Sequence, residues 1–248
     1  MSLGIIGGTG LTSLEGLEIT RREVVRTPFG EPSAPLVHGC FRGYNVTFLA
    51  RHGHNHSIPP HQVNYRANIW ALRHVGVEQV VAVAAVGGIG EAYAPRRLAI
   101  PDQIIDYTHS RESTFFDQDS ADVTHVDFTY PYDARLRRWL LAAAAEAGIE
   151  VVDGGTYAAT QGPRLETAAE IQRLRRDGCD LVGMTGMPEA VLAREAELAY
   201  AHCAVVANWG AGLAEGQTVS MDDIRDNLTY GMDLVRQLIA SLAPKFEG

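Results

Sequence analysis

Short apolar, β-branched runs alternate along the chain with longer stretches whose apolar residues recur every three or four positions. The short runs predict strands at 4–6, 46–50, 79–85, 103–107, 157–160, 181–184 and 204–208. The longer stretches predict helices at 60–75, 134–147, 167–176 and 188–200, two of them opening on a proline, where the missing N–H costs no hydrogen bond. A last helix is the clearest. Ser220 caps it, with Asp223 three residues on as a weaker form of the capping box. Met221, Ile224, Leu228, Met232, Val235, Leu238 and Leu242 then repeat at helical spacing and read mostly as core. Strands alternating with helices give an α/β protein. The polar, aromatic, weakly periodic stretch 107–132 predicts a long loop, of the kind that serves function or a neighbour.

Composition narrows the partners more than the fold. At 248 residues the chain suits one domain with a substantial core. A net charge of −9 argues against a nucleic-acid or anionic-membrane surface, although a small anion still fits a locally positive pocket. Three widely spaced cysteines suggest neither a disulfide framework nor a CxxC metal site. No basic-flanked apolar leader and no membrane-length apolar run is visible, so a cytoplasmic protein is expected.

Three stretches carry candidate chemistry. "LGIIGGTGLTSL" (3–14) runs an apolar strand into a glycine turn centred on Thr9. Ser13 stands where a dinucleotide fingerprint needs its third glycine, and no clean second strand with a ribose-binding carboxylate follows. A turn holding a smaller anion is the better reading. "LARHGHNHSIPPH" (49–61) sets His52, His54 and His56 at alternate positions, which raises a metal site. No carboxylate is near, however, and Arg51 opposes a cation. Arg51 and His52 directly after a strand suit phosphate, whose oxygens match the donor fork of a guanidinium. "VAAVGGIG" (83–90) is a second glycine-rich strand exit able to offer backbone amides.

"TQGPRLET" (160–167), "GMTGMPEAVLAREAEL" (183–198) and "VVANWG" (205–210) complete a pattern. With "TPFGEPS" and "LARHGHNHSIPPHQVNYRANIWAL", they make the chain resemble, over nearly its whole length, the purine nucleoside phosphorylase and methylthioadenosine phosphorylase family, in its trimeric branch. The resemblance implies a single-domain nucleoside phosphorylase fold, with a mixed central β-sheet flanked by helices. It implies phosphorolysis of a purine nucleoside with inorganic phosphate as co-substrate, no metal or organic cofactor, and a homotrimer. By matching motifs, Thr9, Arg51, His52 and Thr185 fall where the family contacts phosphate. The family's common hydroxyl at the position of Ala84 is absent, leaving the backbone N–H of Ala85. Met184 falls under the ribose, Leu165 replaces an aromatic beside the base, Glu166 faces N1–H and Asn208 the base edge. Glu166 also suits the first turn of the following helix by the macrodipole. His125 matches a residue that reaches the pocket of the next subunit.

Two departures set the expected substrate. Asn208 can accept from N7–H and donate to O6 of a 6-oxopurine, where adenine-specific relatives carry aspartates. Met221 replaces a histidine near the 5′-hydroxyl and, with Ile224, favours a methylthio group. The expected substrate is therefore S-methyl-5′-thioinosine, ahead of methylthioadenosine and of inosine or guanosine. A non-catalytic nucleotide-binding module is the alternative of a different class.

Overall fold

The structure, a computed structural model, describes residues 2–117, 123–214 and 219–246. Its centre is one mixed sheet. β1 (Leu3–Gly7) lies between β4 (Tyr44–Ala50) and β5 (Gln79–Gly88), parallel to both. β3 (Leu36–Phe41) and then the edge strand β2 (Leu17–Glu23) extend the β4 side, antiparallel to one another and to β4 in turn. β5 has two different neighbours along one edge. β1 pairs with it only as far as Ala82, and antiparallel β10 (Leu181–Gly183) joins it at Gly87 and Gly88. β11 (Ala199–Trp209) follows the other edge of β5 throughout. Beyond β10 lie β9 (Thr156–Ala159) and β7 (Gln103–Asp106), whereas β6 (Leu98–Ile100) and β8 (Val151–Asp153) continue from β11. The gap between the end of β1 and the start of β10 exposes residues 83–86 of β5. Open α/β sheets hold ligands at such breaks.

Five helices cover the sheet among the described residues: α1 (Tyr65–His74), α2 (Ala134–Glu146), α3 (Ala168–Arg176), α4 (Gly186–Glu195) and α5 (Met221–Leu242). None is long and apolar enough to cross a membrane. α5 buries Leu228, Met232, Val235, Leu238 and Leu242 as its spacing requires, and Ser220 accepts from the N–H of Asp223. Met221, at the head of that stripe, is instead 64% exposed.

Other boundaries depart from expectation for local reasons. The predicted 60–75 helix is a short 3₁₀ turn, Pro60–Gln62, then α1, because Asn64 caps the helix through Ala67 N–H. α4 stops at Glu195, since Glu197 adopts φ +56°, and Tyr200 already belongs to β11. A left-handed residue ends a helix, but a glutamate there leaves no glycine to announce it. The glycine-rich exit of 83–90 begins inside the strand, since β5 runs three residues past its predicted end to close on Gly87 and Gly88, where a Cβ on Gly88 would come within 1.8 Å of the Tyr93 carbonyl oxygen. β2 is a strand that the alternation did not reveal, because nearly all its residues are exposed.

The candidate active site

One cleft of about 650 Å³ opens at the break in the sheet, and every predicted site residue except His125 lines it. At its deep end the chain turns sharply after both β1 and β4. Gly8 is required here for space rather than for its φ. A Cβ on it would lie 2.6 Å from Val83 O and 2.9 Å from Arg51 Nη1. The glycine turn leads into a loop and then β2, not into a helix, so the dinucleotide-binding unit is absent.

Arg51 is fully buried, and its fork is already occupied. Nε and Nη2 donate to the two carboxylate oxygens of Glu189 at 2.7 and 2.8 Å, and Nη1 donates to Val83 O at 2.9 Å. The edge formed by Nε and Nη2 is therefore taken by Glu189. Of the five N–H bonds of a guanidinium, one on each terminal nitrogen is left for an anion in the cleft. Burial opposes the Arg51 charge, but the adjoining Glu189 carboxylate more than offsets it and holds the guanidinium firmly protonated. Tyr200 Oη adds a third hydrogen bond to Glu189 at 2.8 Å.

His52 is buried beside Arg51, and its Nδ1 stands 2.8 Å from Ile58 O. A carbonyl only accepts, so Nδ1 carries the hydrogen and Nε2 of the neutral ring is an acceptor. Burial, then the Arg51 charge, lowers its pKa to about 4 against the partial support of Ile58. Thr185, buried at the head of α4, has a hydroxyl without a hydrogen-bond partner among the described residues. Such a group is costly unless a ligand completes it. The Val83 carbonyl faces the sheet break. Backbone direction alternates along a strand, so the N–H of Ala85 faces it as well.

At the other end Asn208 is aimed by a β-bulge. Val206 pairs with Val86 and Asn208 with Gly87, so Ala207 is the extra residue that turns the amide into the cleft. Asn208 Nδ2 donates to Trp209 O at 2.7 Å, which leaves Oδ1 and one N–H. Glu166 has no helix-capping duty. Thr167 is the N-cap of α3, and Glu170 completes the capping box. The carboxylate of Glu166 lines the cleft with Met184, Leu165, Met221 and Ile224. His125 is exposed and outside the cleft of its own chain.

Sequence reasoning missed three contributors. Glu189 is a fully buried acidic residue on α4, whose other buried residues carry no charge. His56 lines the cleft, its Nε2 3.3 Å from Thr9 Oγ1 and its ring 4.6 Å from that of His52. Its alternation with His52 pointed toward metal, yet among the described residues no three His, Cys, Asp or Glu form a metal-binding group. Arg111, from the long loop, donates to the carbonyls of Thr160, Gln161, Met184 and Met187 and so ties the turn after β9 to the turn after β10. Residues 118–122 of that loop lie outside the described residues.

Known proteins share this architecture. The family model for the phosphorylase superfamily matches residues 2–243. A probable S-methyl-5′-thioinosine phosphorylase of Xanthomonas campestris pv. campestris is 52% identical over 98% of this chain and 97% of its own length. A 6-oxopurine nucleoside phosphorylase of Pyrococcus furiosus is 43% identical over 97% and 91%. The solved methylthioadenosine phosphorylase of Schistosoma mansoni in complex with adenine superposes with a TM-score of 0.94 at 32% identity, covering 99% of this chain and 91% of that one. The fold is therefore shared with these proteins, and the chain is a member of the phosphorylase superfamily.

Proposed function

We propose that the chain catalyses phosphorolysis of a 5′-methylthio purine nucleoside with a 6-oxopurine base, S-methyl-5′-thioinosine foremost. It releases hypoxanthine and 5-methylthioribose 1-phosphate. The observation that carries this reading is a single cleft with buried oxyanion donors at one end and the Glu166 and Asn208 side chains at the other.

Hydrogen phosphate occupies the deep end. Arg51 and Thr185 donate to its oxygens, as do the hydroxyl of Thr9 and the N–H of Ala85. Its own P–O–H donates to Nε2 of neutral His52. A phosphate oxygen bonds to C1′ as the C1′–N9 bond breaks, and the bonding pair leaves with the purine. Positive charge builds on the sugar above Met184, between the phosphate anion and the departing base. Positioning phosphate contributes several kcal/mol, up to about 7–11 in ideal intramolecular cases. The products balance when the hydrogen-phosphate proton ends on N7, where Asn208 Oδ1 accepts it while Nδ2 donates to O6. Glu166 accepts from N1–H, and Leu165 lies against the base. Met221 and Ile224 receive the methylthio group. His125 of a neighbouring copy closes this end in a homotrimer. Inorganic phosphate is the co-substrate and no metal or organic cofactor takes part, so dialysis against a chelator leaves the rate unchanged.

The test is product release from paired substrates. Methylthioinosine should yield hypoxanthine only with phosphate, and on the order of a hundredfold more efficiently than methylthioadenosine yields adenine. Equal efficiency with adenine overturns the base assignment. A clear preference for inosine overturns the methylthio assignment. Asn208→Asp should abolish most 6-oxopurine turnover while leaving the thermal midpoint nearly unchanged.

A further inference from the structure

Glu166 sits on a turn between β9 and α3, a poor place from which to fix a base. Its neighbours do not hold it. Arg164, the adjacent cation, is bidentate on Glu170 at 2.8 and 2.7 Å, and Glu170 rather than Glu166 serves the helix cap. Thr160 does hold it. Its hydroxyl donates to Glu166 Oε1 at 2.7 Å, across six residues of chain. The Gly183 carbonyl, at 3.3 Å, is the poorer acceptor for that one hydrogen.

Thr160 is itself well fixed. Its N–H donates to Gly183 O at 2.8 Å, and its carbonyl accepts from Arg111 Nη2 at 3.2 Å. It does not line the cleft, so any effect it has on substrate passes through Glu166. We propose that Thr160 is a specificity-positioning residue, whose hydroxyl engages one oxygen of Glu166 and leaves the other for the N1–H of a 6-oxopurine. This rests on the base-site reading given above.

The chemistry gives the arrangement its consequence. A 6-oxopurine carries a hydrogen on N1, whereas a 6-aminopurine presents a lone pair there. A carboxylate held in place rewards the first and repels the second. One free to swing into solvent does neither well. The Thr160 hydroxyl thus converts a loop carboxylate into a fixed acceptor and sharpens the choice of base.

The experiment is a double-mutant cycle with steady-state kinetics on methylthioinosine and methylthioadenosine. Thr160→Val should lower kcat/KM for methylthioinosine about tenfold, as for loss of a hydrogen bond to a charged group, and narrow its advantage over methylthioadenosine. Thr160→Ser should restore both. In a Glu166→Ala background, Thr160→Val should cost no more than about twofold, because no carboxylate is left for the hydroxyl to position. An equal loss in both backgrounds would mark a merely structural residue and overturn the proposal. So would an unchanged preference in Thr160→Val when Glu166→Ala alone alters it. Unchanged kinetics in Glu166→Ala would overturn the base-site reading itself, and this inference with it. Should Thr160→Val not fold, Thr160→Ala deletes the same hydroxyl without adding a methyl group and is judged by the same outcomes.

Discussion

The two ends of the cleft are built on opposite principles. At the end proposed to hold phosphate, Arg51, Thr185 and His52 are at most 6% exposed and follow the ends of β4 and β10, and Arg51 and His52 are hydrogen-bonded to the protein. At the end proposed to hold the nucleoside, Leu165 is 42% and Met221 64% exposed, and both are carried by turns or a helix terminus. The contrast follows from what each end must do. A multiply charged oxyanion is best stabilised by dipoles and charges that need no reorganisation when it arrives, which requires a rigid, dry setting. A base and an apolar thioether tolerate softer walls, completed by loops or by another copy of the chain.

Glu189→Gln breaks the rigid end most severely. The substitution keeps the shape but leaves the buried Arg51 charge uncompensated, and breaking such a pair from one side costs about 3–5 kcal/mol. Urea unfolding should show that loss, together with a raised KM for phosphate. Leu165→Ala at the soft end should change stability by no more than about 0.5 kcal/mol. Comparable losses for the two would end the distinction.

Acid should find the same end first. His52 has its pKa lowered to about 4 by burial, then by Arg51, and the fully buried His202 on β11 is lowered to about 3 by the same two causes. Above 6.5 both rings are neutral folded and unfolded, and their contribution to stability is complete. As pH falls below that value the unfolded chain takes up protons that the folded chain refuses. Stability then declines by up to about 1.4 kcal/mol per pH unit for each ring, until the folded-state values are reached. His202→Phe removes one titrating ring and should flatten the dependence of the urea midpoint between pH 6.5 and 4. A slope identical to that of the wild type would show that His202 is not held neutral.

The orphan hydroxyl of Thr185 separates binding from folding. Thr185→Val should weaken phosphate by about tenfold, the worth of a hydrogen bond to a charged ligand, yet leave the free protein equally or more stable. The folded chain already bears the cost of a buried hydroxyl with no partner among the described residues. Loss of stability with unchanged phosphate KM would reassign Thr185 to the scaffold.

The same contrast governs what the sequence reveals. Most strands of the buried sheet and the amphipathic α5 announce themselves, because burial on one or both faces imposes an apolar pattern that survives in the sequence. Arg51 and His52 are legible because two polar residues follow directly on a buried strand. β2 is illegible because an exposed edge strand has no buried face to enforce alternation. The end of α4 is missed because Glu197 takes a glycine's conformation. Glu189 and Thr160 are missed for a different reason. Their importance lies in partners 138 and six residues away, at Arg51 and Glu166, and such pairing has no local signature.

The gentlest probe tests whether the soft end is soft at all. Met221 lines the cleft yet is mostly exposed in the single chain, so its contact with a methylthio group is one-sided. Met221→Ala removes roughly two buried methylene equivalents at most, each worth about 0.8 kcal/mol if fully enclosed. With exposure discounted, the preference for methylthioinosine over inosine should fall by only about fourfold, read as the ratio of kcat/KM values. A fall well beyond about tenfold would mean that Met221 is enclosed in the working enzyme. The described residues of the chain leave Met221 64% exposed, so the covering wall would then lie outside them. The contrast between the two ends would in that case hold for the described residues alone.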